Sequence, residues 1–170
     1  MLPVVVPLAA VVFLALLWHL RRRDRLTAPR AAVALVLCVY AAGVLANTVF
    51  PIFLNMPGGE PQWKVYFGLV DGYDVLDAVQ NMVVFVPVGM ILPLLLAKAS
   101  WWRVVAVAAA FSLAIEVTQF FTGNLLGGGH LSDVNDLFFN VAGAALGMGV
   151  FSVLSRVPVA AALINRFRWS

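Results

Sequence analysis

Five long apolar segments constrain the fold of this chain more than any other feature. A helix that crosses a bilayer needs about 20 apolar residues. Hydrophobic residues make up 63% of the sequence and charged residues only 11%, whereas soluble domains carry about 25% charged residues. We therefore predict an all-α integral membrane protein, a polytopic bundle of about five transmembrane helices. The apolar segments that predict these helices are 2–20, 31–54, 78–97, 104–121 and 137–155.

The two ends of the chain and its one cysteine add three expectations. The first apolar segment has no basic residue before it and is followed by arginines at 21–23 and 25, which is the reverse of a signal peptide and indicates a retained helix. The tail 157–170 is too short to span a bilayer, and we predict a short helix lying at the membrane interface. The single Cys38 excludes an internal disulfide and a multi-cysteine metal cluster.

The distribution of charge predicts how the helices are oriented. Basic residues prefer the cytoplasmic side of membrane proteins. If residues 21–30 are cytoplasmic and the segments alternate, every basic residue except Lys64 falls inside and every acidic residue except Asp24 falls outside or in the outer half of a helix. We predict an N-terminus outside and a C-terminus inside. The cytoplasmic leaflet then accounts for the positive charge, and no nucleic-acid partner is expected.

Polar side chains inside the apolar segments indicate a buried polar site. Glu116 is five residues from the end of its segment, and Gln119 follows one turn later. A charged side chain at the bilayer centre costs about 2.5–3.5 kcal/mol on insertion scales, so it normally faces protein or water. Asn81, Asp136 and Asn140 fall at a similar depth, and we predict an outward-facing cavity lined by all five. The alternative is a protonated Glu116 that only links helices by hydrogen bonds.

Prolines and glycines in two segments are expected to act structurally. Pro87 removes a backbone donor and predicts a kink, which leaves open whether this stretch is a tolerated bend or a cavity wall. Gly89 lies on the same stretch. Gly143 and Gly147 form a GxxxG pair, which allows a neighbouring helix to approach closely.

Three stretches together resemble the VanZ-like family of small bacterial membrane proteins. They are NMVVFVPVGMILP at 81–93, SLAIEVTQFF at 112–121 and HLSDVNDLFFNVAGAALG at 130–147, and the resemblance covers roughly residues 35–155. One position departs from the family pattern, which usually has arginine where His130 stands. The residues that match are Asn81, Phe85, Pro87, Gly89, Glu116, Gln119, Asp133, Asp136, Asn140, Gly143 and Gly147.

The resemblance implies a multi-pass protein of the bacterial cell membrane. The member that gives the family its name is associated with resistance to the glycopeptide teicoplanin, which acts on lipid-linked cell-wall precursor outside the membrane. On this basis residues 31–155 form a VanZ-like membrane domain. Residues 1–30 add a transmembrane helix and a basic cytoplasmic loop, and residues 156–170 form a basic cytoplasmic tail.

The first functional hypothesis is a pocket that binds a membrane lipid or a lipid-linked cell-wall precursor, without a cofactor. Aromatic residues of the outer loop, Trp63, Tyr66, Phe67 and Tyr73, would lie at the head-group level. The residues expected to line the ligand-binding pocket are Asn81, Phe85, Glu116, Gln119, His130, Asp133, Asp136 and Asn140.

Two other hypotheses stay open. Glu116, His130, Asp133 and Asp136 could hold a divalent metal ion for an enzyme acting on an envelope lipid, although Asp133 and Asp136 also suit a helix start. Alternatively, the polar core is purely structural, in a helix-mediated oligomer or a complex with another membrane protein. We favour binding over catalysis.

Overall fold

The computed structural model describes residues 2–48, 65, 68, 72–125 and 133–169, and in this part of the chain the regular structure is helical. The first five of its six helices are long and apolar enough to cross a membrane, which confirms the predicted all-α membrane fold. The helices are α1 Leu2–Arg22, α2 Ala28–Thr48, α3 Val75–Leu95, α4 Trp101–Leu125, α5 Val134–Leu154 and α6 Pro158–Phe167.

Carboxylates fix the starting points of α3 and α5. The side chain of Asp74 accepts a hydrogen bond of 2.7 Å from the backbone N–H of Leu76, and Asp133 accepts one of 2.8 Å from the backbone N–H of Asn135. A capping carboxylate satisfies a free N–H of the first turn and interacts favourably with the helix dipole. Asp133, predicted as a possible ligand residue, therefore has a capping role.

The closest contact between helices joins α3 to α5. A Cβ on Gly143 would overlap the backbone carbonyl of Met82, and one on Gly147 would overlap that of Val86. Both helices advance by four residues between these contacts, so they run parallel. Gly89 completes the interface, because a Cβ there would overlap the carbonyl of Ala144. The GxxxG pair acts in helix packing, as the sequence predicted.

The proline-containing stretch of α3 forms part of this packed core. The helix continues through Pro87 and Pro93, and Pro93 is buried. Because Pro87 has no backbone N–H, the carbonyl of Val83 lacks its usual helical donor. The next carbonyl along the helix, that of Val84, accepts a 2.6 Å hydrogen bond from the Tyr40 hydroxyl of α2. Pro87 is not among the residues that line the cavity described below.

The α1 helix is attached to the rest of the bundle mainly through α2. Only Val5 and Leu20 of α1 are buried, and most of its valines and leucines are exposed. A helix that is apolar on nearly every face and buries so little against protein is suited to contact with lipid on most of its surface. Its interface with α2 is what holds it in the fold.

Charged side chains separate to opposite ends of the bundle. We call one end the basic end: it comprises residues 21–30, 96–103 and 155–169. The α6 helix that we expected is present there, and the backbone N–H of Trp169 donates to the carbonyl of Leu94 at 2.8 Å. The opposite, acidic end carries Asp74 and Asp133 at the starts of α3 and α5. The direction in which these ends face across a membrane stays a prediction.

We expect Gly143→Ala to lower the free energy of unfolding by about 1–3 kcal/mol, because the new methyl group overpacks the α3–α5 contact. Thermal unfolding in mild detergent measures the change. Gly149→Ala on the same helix is the matched control, since its Cβ would lie 3.8 Å from the Trp101 ring, an ordinary contact. Equal stability of the two variants would contradict this account of the interface.

Candidate functional site

An open cavity of about 1220 Å³ lies among α2, α3, α4 and α5 at the acidic end. Its lining combines polar side chains from α3 to α5 with apolar ones from α2 and α3. It includes every predicted ligand-binding residue that the structure describes; His130 lies outside the described residues. Those brought together are Asn81, Phe85, Glu116, Gln119, Asp133, Asp136 and Asn140.

Glu116 lies further from the C-terminal end of its helix than the sequence indicated. We expected five residues beyond it, but α4 continues for nine residues to Leu125, or about 13 Å. The apolar pattern stops earlier because the last turns contain polar side chains that bond back to the helix. Thr122 donates to the carbonyl of Thr118 at 2.9 Å, and Asn124 donates to that of Phe120 at 2.6 Å.

The Glu116 carboxylate connects α4 to the start of α5. Its side chain is 6% exposed, and Oε2 accepts a hydrogen bond of 3.1 Å from the backbone N–H of Asp133. One turn away on each side, Ser112 and Gln119 are also buried, so the predicted polar stripe of α4 faces the protein. The carboxylate can accept hydrogen bonds from protein and ligand at once, since each oxygen has two lone pairs.

A closed triangle of hydrogen bonds surrounds Asp136. The Tyr73 hydroxyl donates to Asp136 Oδ1, and Asn81 Nδ2 donates to the same oxygen at 2.6 Å and to the Tyr73 hydroxyl at 2.8 Å. The Tyr73 ring stacks on Phe139 with centroids 5.4 Å apart. Burial, together with the hydrogen bond to Asp136 and its charge, raises the pKa of Tyr73 well above the usual value, so the hydroxyl keeps its proton and continues to donate.

Two buried hydrogen-bond acceptors in the cavity have no partner among the described residues. Asn140 Nδ2 donates to the fully buried Ser112 hydroxyl at 3.0 Å. Its carbonyl oxygen, Oδ1, and the side-chain oxygen of Gln119, Oε1, are buried and have no donor among the described residues. Asn140 is 4% exposed and Gln119 is 6% exposed. Most buried polar atoms in folded proteins have a partner, so two unpaired acceptors in one cavity indicate a site for a donor.

One predicted ligand residue belongs mainly to the hydrophobic core. Phe85 is 1% exposed and packs in a cluster with Val44, Ile115 and Ala144. Its ring also lies 5.6 Å from that of Phe111. Phe85 forms an apolar part of the cavity wall, one turn beyond Asn81 on α3.

The cavity has an apolar side between α2 and α3. Gly43 of α2 lines it, and a Cβ on this glycine would meet nothing within 4 Å. Val79 and Val83 of α3 line the same side and are 50% and 62% exposed. The α2 and α3 helices make few contacts with each other, so this side is not closed by described side chains.

The described residues give no support for a metal centre. Among them, no three histidine, cysteine or carboxylate side chains are grouped so that they could hold an ion. The alternative metal site also included His130, which lies outside the described residues. Trp63, Tyr66 and Phe67 of the predicted aromatic belt lie outside them as well.

Sequence reasoning missed two polar residues of the site. Asn135 Nδ2 donates to Asp133 Oδ1 at 2.9 Å and to the carbonyl of Gly68 at 2.8 Å, so it links the start of α5 to the segment before α3. Tyr73 was expected only as an interfacial aromatic residue. The adjacent Asp74, a strong helix-capping residue type, was the available signal that Tyr73 lies beside a helix start.

A sequence model of the VanZ/LLP1 family matches residues 4–155 of the chain, nearly its whole length. The chain belongs to the VanZ/LLP1 family. The match includes α1, so it extends further towards the N-terminus than the resemblance over residues 35–155. No curated protein and no solved structure matches the chain.

We expect Tyr73→Phe to lower the free energy of unfolding by about 1–2 kcal/mol, because Asp136 and Asn81 lose a hydrogen-bond partner while the stacked ring is kept. Chemical or thermal unfolding in detergent measures the loss. Phe139→Leu tests the ring contact separately. A Tyr73→Phe protein as stable as wild type would show that the triangle does not stabilise the fold.

Proposed function

We propose that this VanZ-family protein binds an amphiphilic molecule of the bacterial cell envelope, a membrane lipid or a lipid-linked cell-wall precursor, in the cavity at its acidic end. The proposal rests on two buried oxygens, Gln119 Oε1 and Asn140 Oδ1, that have no hydrogen-bond donor among the described residues. A ligand that donates N–H or O–H groups would satisfy both. The proposal therefore specifies a head group rich in hydroxyls or carrying a primary amine.

The charge of the cavity supports the same ligand chemistry. Carboxylates from α3, α4 and α5 line it, and no lysine or arginine is among the described lining residues. Negative potential in a partly enclosed site attracts amines and disfavours phosphate. The described carboxylates that line the cavity are Asp74, Asp77, Glu116, Asp133 and Asp136.

The donors of the cavity lining are largely engaged with the protein itself. Asn81 donates to Asp136 and to Tyr73, Asn140 donates to Ser112, and the Tyr40 hydroxyl donates to the α3 backbone. Among the described lining residues, acceptors are thus more available than donors. This favours ligands that carry hydrogen-bond donors. A sugar hydroxyl or an ethanolamine ammonium group meets this requirement.

The apolar side suits the hydrocarbon part of such a molecule. Val79 and Val83 are exposed beside the polar lining of the cavity, and Gly43 leaves space on the same apolar side. The head group would contact the polar lining of the cavity, and the hydrocarbon chain would pass between α2 and α3. The chain would then contact apolar side chains, and burial of apolar surface is favourable. This arrangement distinguishes an amphiphile from a water-soluble sugar or amine.

The predicted topology places the cavity on the outer side of the membrane, where cell-wall precursors are exposed. Reduced susceptibility to teicoplanin is the corresponding cellular proposal, and it rests on the family association. In cells, Glu116→Gln is expected to abolish such a phenotype at unchanged protein level. Normal resistance with that substitution would remove the carboxylate from the mechanism.

The first experiment compares two lipids that differ in hydrogen-bond donors. Native mass spectrometry of the purified protein should show phosphatidylethanolamine bound about tenfold more tightly than phosphatidylcholine with the same chains, because only the former has N–H groups. Glu116→Gln should weaken phosphatidylethanolamine binding about 10- to 100-fold, as expected for a charged hydrogen bond, and Gln119→Met about two- to tenfold. A glycosyl diacylglycerol tests the hydroxyl alternative in the same assay.

A steric substitution tests the cavity without altering its polar groups. Gly43→Phe should project into open space and reduce lipid binding at least tenfold with little loss of stability. Leu45→Phe is the control, because Leu45 is exposed on the same helix and does not line the cavity. Unchanged binding in Gly43→Phe, or a Glu116→Gln protein that is less stable but binds normally, would favour a purely structural polar core.

A further inference from the structure

The C-terminal segment at the basic end carries buried donors that are not satisfied within the described chain. Nε of Arg168 and Nε1 of Trp169 are both buried and have no acceptor among the described residues. The Arg168 guanidinium lies 5.8 Å from the centroid of the Phe151 ring. The buried hydroxyl of Ser155, one turn beyond Phe151, also has no hydrogen-bond partner among the described residues. Unpaired buried donors are uncommon in folded proteins and indicate that an acceptor belongs beside them.

The side chains of Arg25 and Arg30 converge on the backbone of residues 168 and 169. Arg25 donates to the carbonyl of Trp169 at 2.7 Å, and Arg30 donates to the carbonyl of Arg168 at 2.6 Å and to that of Arg25 at 3.1 Å. In the part of the chain that the structure describes, the Arg25 and Arg30 guanidinium groups donate to backbone oxygens and are not paired with a carboxylate. Asp24 is the one acidic residue of the basic end. An anion bound here would supply the acceptor that Nε of Arg168 and Nε1 of Trp169 have not found among the described residues.

We propose that this cluster, Arg25, Arg30, Arg168 and Trp169, binds the phosphate group of an anionic phospholipid. Guanidinium groups bind phosphate oxygens through paired N–H donors, and an indole N–H commonly lies at the head-group level. Basic pockets between helices are suited to anionic head groups. A soluble phosphate ester offers the same chemistry, and the experiment separates the two sources.

The site is independent of the cavity at the acidic end. Leu94, which accepts a hydrogen bond from Trp169, lies thirteen residues along α3 from Asn81, or about 20 Å. The two sites also differ in character, because the cavity presents acceptors and carboxylates, whereas the basic end presents donors and positive charge. A ligand suited to one is poorly suited to the other.

The test measures phosphatidic acid against phosphatidylcholine with matched chains, using the full chain in neutral detergent and native mass spectrometry. Phosphatidic acid carries a bare phosphate without amine or glycerol hydroxyl groups. Both wild type and Gly43→Phe are used, so that the acidic-end cavity is blocked in one sample. We expect at least tenfold tighter binding of phosphatidic acid in both. Displacement by millimolar inorganic phosphate would identify a soluble phosphate as the ligand, and retention would identify the lipid.

Three variants locate the binding. Arg168→Gln is expected to weaken phosphatidic acid binding at least tenfold, and Trp169→Phe, which keeps the ring and removes only the N–H, two- to tenfold. Arg166→Gln is the matched control, since Arg166 is exposed two residues away and carries the same charge; its effect should stay below threefold. Equal binding of the two lipids, or equal effects of Arg166→Gln and Arg168→Gln, would overturn the proposal. If Arg168→Gln does not fold, the Trp169→Phe variant alone tests the site, and unchanged phosphatidic acid binding in that variant would overturn the proposal.

Discussion

The backbone contact between α3 and α5 is the constraint on which the site depends. Three glycines allow the two parallel helices to approach so closely that backbone carbonyls of each helix lie where a Cβ on the facing glycine would be. At this separation the starts of both helices are adjacent, and Asn81 of α3 reaches Asp136 of α5. The α4 helix then packs on α5 and brings Glu116 to the cap of that helix. Small residues in the membrane core thus set the geometry of the polar residues at one end.

The two ends of the bundle have opposite hydrogen-bonding character. Among the described residues, the unpaired buried side-chain atoms of the acidic end are the acceptors of Gln119 and Asn140, whereas those of the basic end include the N–H donors of Arg168 and Trp169. A lipid bilayer has phosphate groups in both leaflets, and the acidic end would repel them unless the head group also carries amines or hydroxyls. Under the two proposals, this one fold selects a different class of head group at each of its ends.

The sequence was sufficient to predict the helices because each apolar segment is long and the bilayer imposes a minimum length. It also placed Asn81, Glu116 and Asp136 in one site, since helical spacing and similar depth restrict where they can lie. It could not place Tyr73 or Asn135, whose roles depend on hydrogen bonds to distant segments. The depth of Glu116 was wrong because Thr122 and Asn124 satisfy their own polar groups on the helix backbone, which hydropathy does not register.

The contact between the C-terminal segment and the first loop has a consequence for how the protein is made. Arg25 and Arg30 donate to carbonyls that lie 144 and 138 residues later in the chain. The ribosome delivers the first two helices to the membrane long before residues 168 and 169 exist. These hydrogen bonds can therefore form only after all five long helices have been synthesised. Until then, α1 and α2 are held by their mutual contact and by the helices that follow, without the hydrogen bonds from the C-terminal segment.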